Sequence, residues 1–215
     1  MKKILFRYLL ASILLLCGVL ACKNLLEENP QDQVFIENFF ETENDATAAV
    51  NSIYAILNAT SSAPNFGGVY FSAYWVTTGL ASDEMANRLA VPDFDQLANF
   101  SYRPVNGVLY EFWTLAYKGI NNANFAIEGI PRVEAADAFK NQRLGEARYL
   151  RGMLYFDLVR WFGDIPLVLR LGGAVTPSRN SKNEVYTQII SDLEFAAANL
   201  PESYAPNDGL GRATK

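Results

Sequence analysis

The chain has 215 residues, 18 Lys and Arg against 23 Asp and Glu, two cysteines and no histidine, for a formal net charge of −5. The acidic balance argues against nucleic acid as a partner and against an electrostatic grip on anionic lipid. The missing histidine removes the commonest general base and metal ligand, so Cys/His zinc sites and Ser-His-Asp triads are excluded, and neither metal nor cofactor is expected.

Lys2, Lys3 and Arg7 open the chain, and from Tyr8 to Cys22 no charged residue occurs; Lys23, Asn24, Glu27 and Glu28 follow at once. A membrane span needs about 20 apolar residues, so this stretch is too short to anchor the protein and reads as a secretory h-region behind a basic n-region. The junction Val19-Leu20-Ala21-Cys22 resembles the lipobox of bacterial lipoproteins, in which the cysteine receives a diacylglyceryl group. Residues 1–21 are thus predicted to be a signal peptide, Cys22 the lipidation site and 22–41 a lipidated polar tether. Cys17 leaves with the signal and Cys22 with the lipid, so no disulfide is expected. Three of the 18 basic residues also leave, and 15 remain against 23 acidic ones.

The body, 42–215, reads as mainly α. Thr42-Glu43-Asn44-Asp45 offers a capping box with Asp in the usual Glu place. Ala46, Ala49, Val50, Ile53, Tyr54 and Leu57 then repeat at helical spacing. Residues 61–104 are broken by Pro64, Gly67-Gly68, Pro92 and Pro104, with a short helix predicted near Phe71 to Leu80; such an irregular stretch is where a rigid scaffold presents binding groups. Asn106 caps a second long helix, in which Val108, Leu109, Phe112, Leu115, Ala116, Ile120, Ala123 and Ile127 keep the period to Gly129 and Pro131. The third long helix runs from about Ala135 to Phe162 and stops at Gly163, with Pro166 beyond. The fourth opens on the capping box Ser181-Lys182-Asn183-Glu184 and ends near Leu200-Pro201. The second and third helices should form an antiparallel hairpin. The fourth should begin another pair with whatever follows Lys215, in stacked pairs that resemble tetratricopeptide repeats. Gly209 to Lys215 has the composition of a loop entering a further helix, so the chain is expected to be the N-terminal part of a longer protein, truncated at its C-terminus.

Residues 146–168 place large apolar groups around nearly the whole helix, which predicts burial on most sides. Arg148, Arg151, Asp157 and Arg160 must then find partners or snorkel; Asp157 and Arg160 stand at i, i+3 and can pair. The expectation for these charges is a structural ion network.

The same string closely resembles the hallmark of the SusD/RagB family of outer-membrane nutrient-binding lipoproteins, E-A-R-x-L-R-A-x-x-Y-F-D-L-V-R-x-[FY]-G-D-[VI]-P. It is carried by Glu146, Ala147, Arg148, Leu150, Arg151, Tyr155 to Arg160, Phe162, Gly163, Asp164, Ile165 and Pro166, with Gly152 as the departure. Leu26 to Pro30, the D-A-x-x-A-V-N-x-x-Y run from Asp45 to Tyr54, Trp113 to Ile127, and Gly211 to Lys215 also resemble family landmarks, in family order.

The resemblance implies a SusD-like helical fold. It also implies a non-enzymatic, lipid-anchored protein on the outer membrane of a Bacteroidetes-type cell, binding oligosaccharide or polysaccharide. Such a protein would act as the lid subunit of a SusC-type TonB-dependent transporter in nutrient uptake; some relatives take peptides instead. Sugars want aromatic platforms flanked by hydrogen-bonding side chains, and Tyr70, Phe71, Tyr74, Trp75, Asp83, Glu84, Asn87, Arg88 and Tyr102 supply that mixture. The candidate ligand contacts are Tyr74, Trp75, Asp83, Asn87, Arg88 and Tyr102; the structural hallmark is Arg148, Arg151, Asp157, Arg160, Gly163, Asp164 and Pro166. Two other readings stand beside this one. A helical-repeat scaffold needs no ligand, and a surface glycoside hydrolase would need two carboxylates flanking a sugar, which the adjacent Asp83 and Glu84 do not provide by spacing.

Overall fold

The computed structural model describes residues 39–58, 68–174, 176–205, 209 and 211–215. Cys22, the predicted signal peptide and nearly all of the predicted tether lie outside the described residues. Among the described residues there are six α-helices: α1 (Glu43–Leu57), α2 (Tyr74–Leu80), α3 (Pro92–Ala98), α4 (Gly107–Gly129), α5 (Asp137–Phe162) and α6 (Lys182–Asn199). A π-helical turn, Gly68–Ala73, runs straight into α2. Among the described residues there is no strand, only one antiparallel bridge between Ile165 and Asn180.

The caps form as the residue types dictate. Thr42 and Asp45 close a capping box on α1, and Ser181 and Glu184 close one on α6. Asn106 Oδ1 accepts from the N–H groups of Val108 and Leu109 at the start of α4. Gly163, at φ +73, ends α5 in a conformation that a Cβ would disfavour. The interrupted stretch departs from expectation in two ways. The predicted helix near Phe71 begins as the π-turn before becoming α2. Pro92, expected to interrupt regular structure, instead starts α3 at a position where its missing N–H costs nothing.

The long helices pack as an antiparallel stack. Phe112 stacks on Phe162, Tyr117 meets Tyr155 edge-on and Asn124 bonds Arg151, so α4 and α5 run in opposite directions, joined by a 3-10 turn at Ile130–Arg132. Asn122 Nδ2 donates to Ser52 O, and Gly119 lies beneath Ile56, which sets α1 antiparallel to α4. Arg148 lies over Phe195, and Phe156 meets Tyr186, so α6 runs back along α5. Val185, Ile189, Asp192 and Ala196 bury one stripe of α6 against α5.

Residues 211–215 are not helical. Arg212 folds back and pairs with the fully buried Glu146, which Arg143 also contacts, and its second nitrogen reaches Asn51. Ala213 N donates to Tyr54 Oη at 2.9 Å.

The hallmark string acts as the stitching of this stack. Arg151 joins Asp192 and Asn124, each at 2.8 Å. Asn124 Nδ2 donates to Val168 O at 2.9 Å, and Tyr155 Oη both donates to Val168 O and accepts from Val168 N. Asp164 accepts from Lys182 N at 3.0 Å, capping α6, and Tyr117 Oη donates to Pro166 O. Arg148 places its guanidinium 4.1 Å from the Phe195 ring centroid. The Asp157–Arg160 pair forms at 3.7 Å, but Asp157 also accepts from Tyr70 Oη on the π-turn, a partner that the spacing did not suggest. Gly152, the departure from the family pattern, faces Asp192 and Leu193 at ordinary contact distance, so an alanine would fit there.

Candidate functional site

The π-turn and α2 form the scaffold of the site. Tyr70 is held inward by its bond to Asp157, and burial pushes its hydroxyl pKa well above the ordinary tyrosine value. Tyr74 follows on the same side, its ring 5.3 Å from Tyr70 and 6.2 Å from Phe112. The next residue, Trp75, turns the other way and is 49% exposed. Val76 and Leu80 bury against Leu97 of α3 and Val108 of α4. Thr77 and Thr78 return their hydroxyls to carbonyls of the preceding turn, so both threonine hydroxyls are satisfied within the helix.

The loop after α2 then folds back. Gly79 permits this, since a Cβ there would stand 2.1 Å from Met85 Sδ. Asn87 clasps the loop: its Nδ2 donates to Leu89 O at 2.8 Å and to Asp95 Oδ1 at 2.7 Å, and its Oδ1 accepts from Leu89 N at 3.0 Å. Farther on, Asp93 Oδ2 accepts from Gly107 N, and Asn106 Nδ2 donates to Asp93 O, which locks α3 to the start of α4.

The result is a cavity of about 260 Å³, walled by Trp75, Val76, Leu80, Met85 to Leu89 and Phe94.

 A separate cavity of about 350 Å³ is lined in part by Tyr54, Tyr149, Met153 and Arg212.

Of the six candidate contacts, the structure brings Trp75, Asn87 and Arg88 to the smaller cavity. Tyr74 packs into the core instead, and Asp83 and Tyr102 are exposed but do not line the wall. Asn87 is fully engaged within the protein. Arg88 is exposed and forms no hydrogen bond or ion pair among the described residues. Sequence reasoning missed Met85, Leu89 and Phe94; a Pro92 start with Phe94 and Leu97 three apart was the available signal for α3. It also missed Phe100, which is 67% exposed while its backbone sits at φ +53. That conformation costs a non-glycine residue about 1–2 kcal/mol. Phe100 holds it at the end of α3, where Ser101 N donates to Gln96 O.

Fold and site together describe a helical scaffold of the SusD type with an aromatic surface cavity. The profile of a SusD-like family, described as starch-binding and associating with the outer membrane, matches residues 25–215, and the chain belongs to that family. It is 31% identical over 201 residues to SusD-like protein P2 of Formosa agariphila, a match covering 92% of this chain and 39% of that relative. A SusD superfamily protein from Bacteroides vulgatus superposes with a TM-score of 0.70 at 23% identity, covering 82% of this chain and 38% of that one. Surface glycan-binding protein A from Bacteroides fluxus does so with a TM-score of 0.69 at 24% identity, covering 81% and 37%. The chain thus spans about two-fifths of the length of the relatives it matches. Among the described residues no helix is long and apolar enough to cross a membrane.

Proposed function

We propose that this chain belongs to a surface glycan-binding lipoprotein, anchored through Cys22, that serves as the lid of a SusC-type TonB-dependent transporter in nutrient uptake. The observation that carries the binding role is Trp75, half exposed at the mouth of an apolar cavity in a protein of this family. An indole face receives the C–H face of a pyranose, and burying that face contributes to affinity without demanding a particular sugar. No carboxylate lines the cavity wall among the described residues, so the paired acids of a glycoside hydrolase have no counterpart there. The reading of a binder rests on Trp75 and on the family likeness. The lid role rests on the family likeness and on the lipobox-like junction, and a tether of 22–41 would give the body room to swing.

Native gels impregnated with polysaccharide test the binding role. Retardation that Trp75→Ala abolishes, without release of reducing ends, supports it; release of reducing ends would make the protein a hydrolase. Labelling with a clickable fatty acid should mark the protein and spare Cys22→Ala. Mild detergent extraction should recover a large outer-membrane barrel with it. A preparation without such a barrel, together with unchanged glycan uptake in a deletion strain, would remove the lid role.

A further inference from the structure

We infer that the saccharide bound at the Trp75 cavity is acidic, carrying a carboxylate or sulfate that Arg88 receives. This rests on the reading of that cavity as a saccharide site. Arg88 is the one charged side chain of the wall, and it has no partner among the described residues. The nearby carboxylates that are engaged point elsewhere: Asp93 bonds Gly107 N, and Asp95 bonds Asn87. Asp83 and Glu84 are exposed and stand off the wall.

The chemistry of the wall narrows the ligand further. Asn87 spends both amide hydrogens and its carbonyl inside the loop. Arg88 carries donors and no acceptor, the Met85 thioether is a weak acceptor, and Val76, Leu80, Leu89 and Phe94 are apolar. A neutral sugar hydroxyl both donates and accepts, so a donor-rich wall would leave its hydrogens without side-chain partners. A carboxylate or sulfate only accepts, and the planar guanidinium fork meets it with two parallel charge-assisted bonds. Apolar neighbours strengthen that attraction by lowering the local dielectric. The acidic excess of the chain as a whole opposes non-specific adhesion of polyanions, so selection falls on this one cation.

The test uses the full chain in affinity gels and calorimetry with a neutral glucan, a polyuronate and a sulfated galactan. The expected result is tighter binding to an acidic polymer than to the glucan, weakened by added salt. Arg88→Gln should lower that affinity about tenfold or more, with Arg88→Lys retaining part of it and circular dichroism unchanged. Which acidic polymer binds distinguishes carboxylate from sulfate. Equal or tighter binding to the glucan, with Arg88→Gln without effect, would overturn the acidic ligand while leaving the saccharide site standing. If no polymer binds and Trp75→Ala matches the wild type throughout, the saccharide reading fails, and this inference with it.

Discussion

Arg151 on α5 grips Asp192 on α6 with two parallel hydrogen bonds of 2.8 Å, and their side chains are only 5% and 0% exposed. The remaining guanidinium nitrogen reaches Asn124 on α4, so one side chain ties three helices. Removing one partner of such a pair leaves a buried charge uncompensated and costs about 3–5 kcal/mol. Arg151→Met and Asp192→Leu should each show that loss in urea denaturation. Combining them should destabilise less than the two losses added together, since neither charge is then stranded. Strict additivity would show that the pair is not energetically coupled.

Two buried glycines, one on α5 and one on α4, should respond oppositely to alanine. A Cβ on Gly152 meets nothing closer than 3.5 Å, so Gly152→Ala should stabilise by about 0.5–1 kcal/mol through helix propensity alone. A Cβ on Gly119 would stand 2.7 Å from Leu154 Cδ1, and overpacking there should cost about 1–3 kcal/mol. Leu154 is fully buried, and Leu154→Ala should cost about 2–5 kcal/mol. The double variant Gly119→Ala, Leu154→Ala should lose less than the sum, because the added methyl enters the vacated space. A loss below about 0.5 kcal/mol for Leu154→Ala would contradict the burial of α5.

The acid limb of stability should contain two opposing contributions. Burial raises the Asp157 pKa, outweighing the bond from Tyr70 and the charge of Arg160. With its folded value above its unfolded one, Asp157 favours the folded state most at low pH, and that contribution is lost as pH rises through the folded pKa. Asp45 and Glu184 do the reverse: hydrogen bonds from Thr42 and Ser181 lower their values. Their contribution is present above the ordinary carboxylate range and lost as the pH falls through their folded pKa values. Asp157→Asn should therefore gain on the wild type as pH rises from about 4, while keeping its acid-induced loss. Urea midpoints measured across that range check it; a difference independent of pH would place Asp157 in solvent.

The long helices were legible because their stripes run for many turns and their ends carry capping residues whose chemistry is local, such as Thr42 with Asp45 and Ser181 with Glu184. The stack's ties were not. Arg151 and Asp192 are 41 residues apart, and no spacing rule joins them. Nor does one join Asp157 to Tyr70 or Glu146 to Arg212. At the site, Trp75 and Arg88 were legible as exposed chemistry in an irregular stretch, but which of two adjacent aromatic residues faces inward depended on the π-turn ahead of α2. Asn87 was legible as a polar group and not as a clasp, because its three partners are set by the path of the backbone.

That clasp supports the last prediction. Asn87 joins Leu89 and Asp95 through three hydrogen bonds of 2.7–3.0 Å, and the loop it closes carries Met85, Arg88 and Leu89 of the cavity wall. It should therefore govern binding by holding the wall, without touching ligand. Asn87→Ala should cost about 1 kcal/mol for each net bond lost and weaken saccharide binding as the loop loosens. Asn87→Asp keeps the acceptor for Leu89 N, but it loses both donors and sets a carboxylate against Asp95, so it should be the more damaging of the two. Hydrogen exchange should then rise at Leu89 and along the start of α3, while the amides of α5 stay protected. Weakened binding with exchange at Leu89 unchanged would instead make Asn87 a direct ligand contact, and the clasp would not be its role.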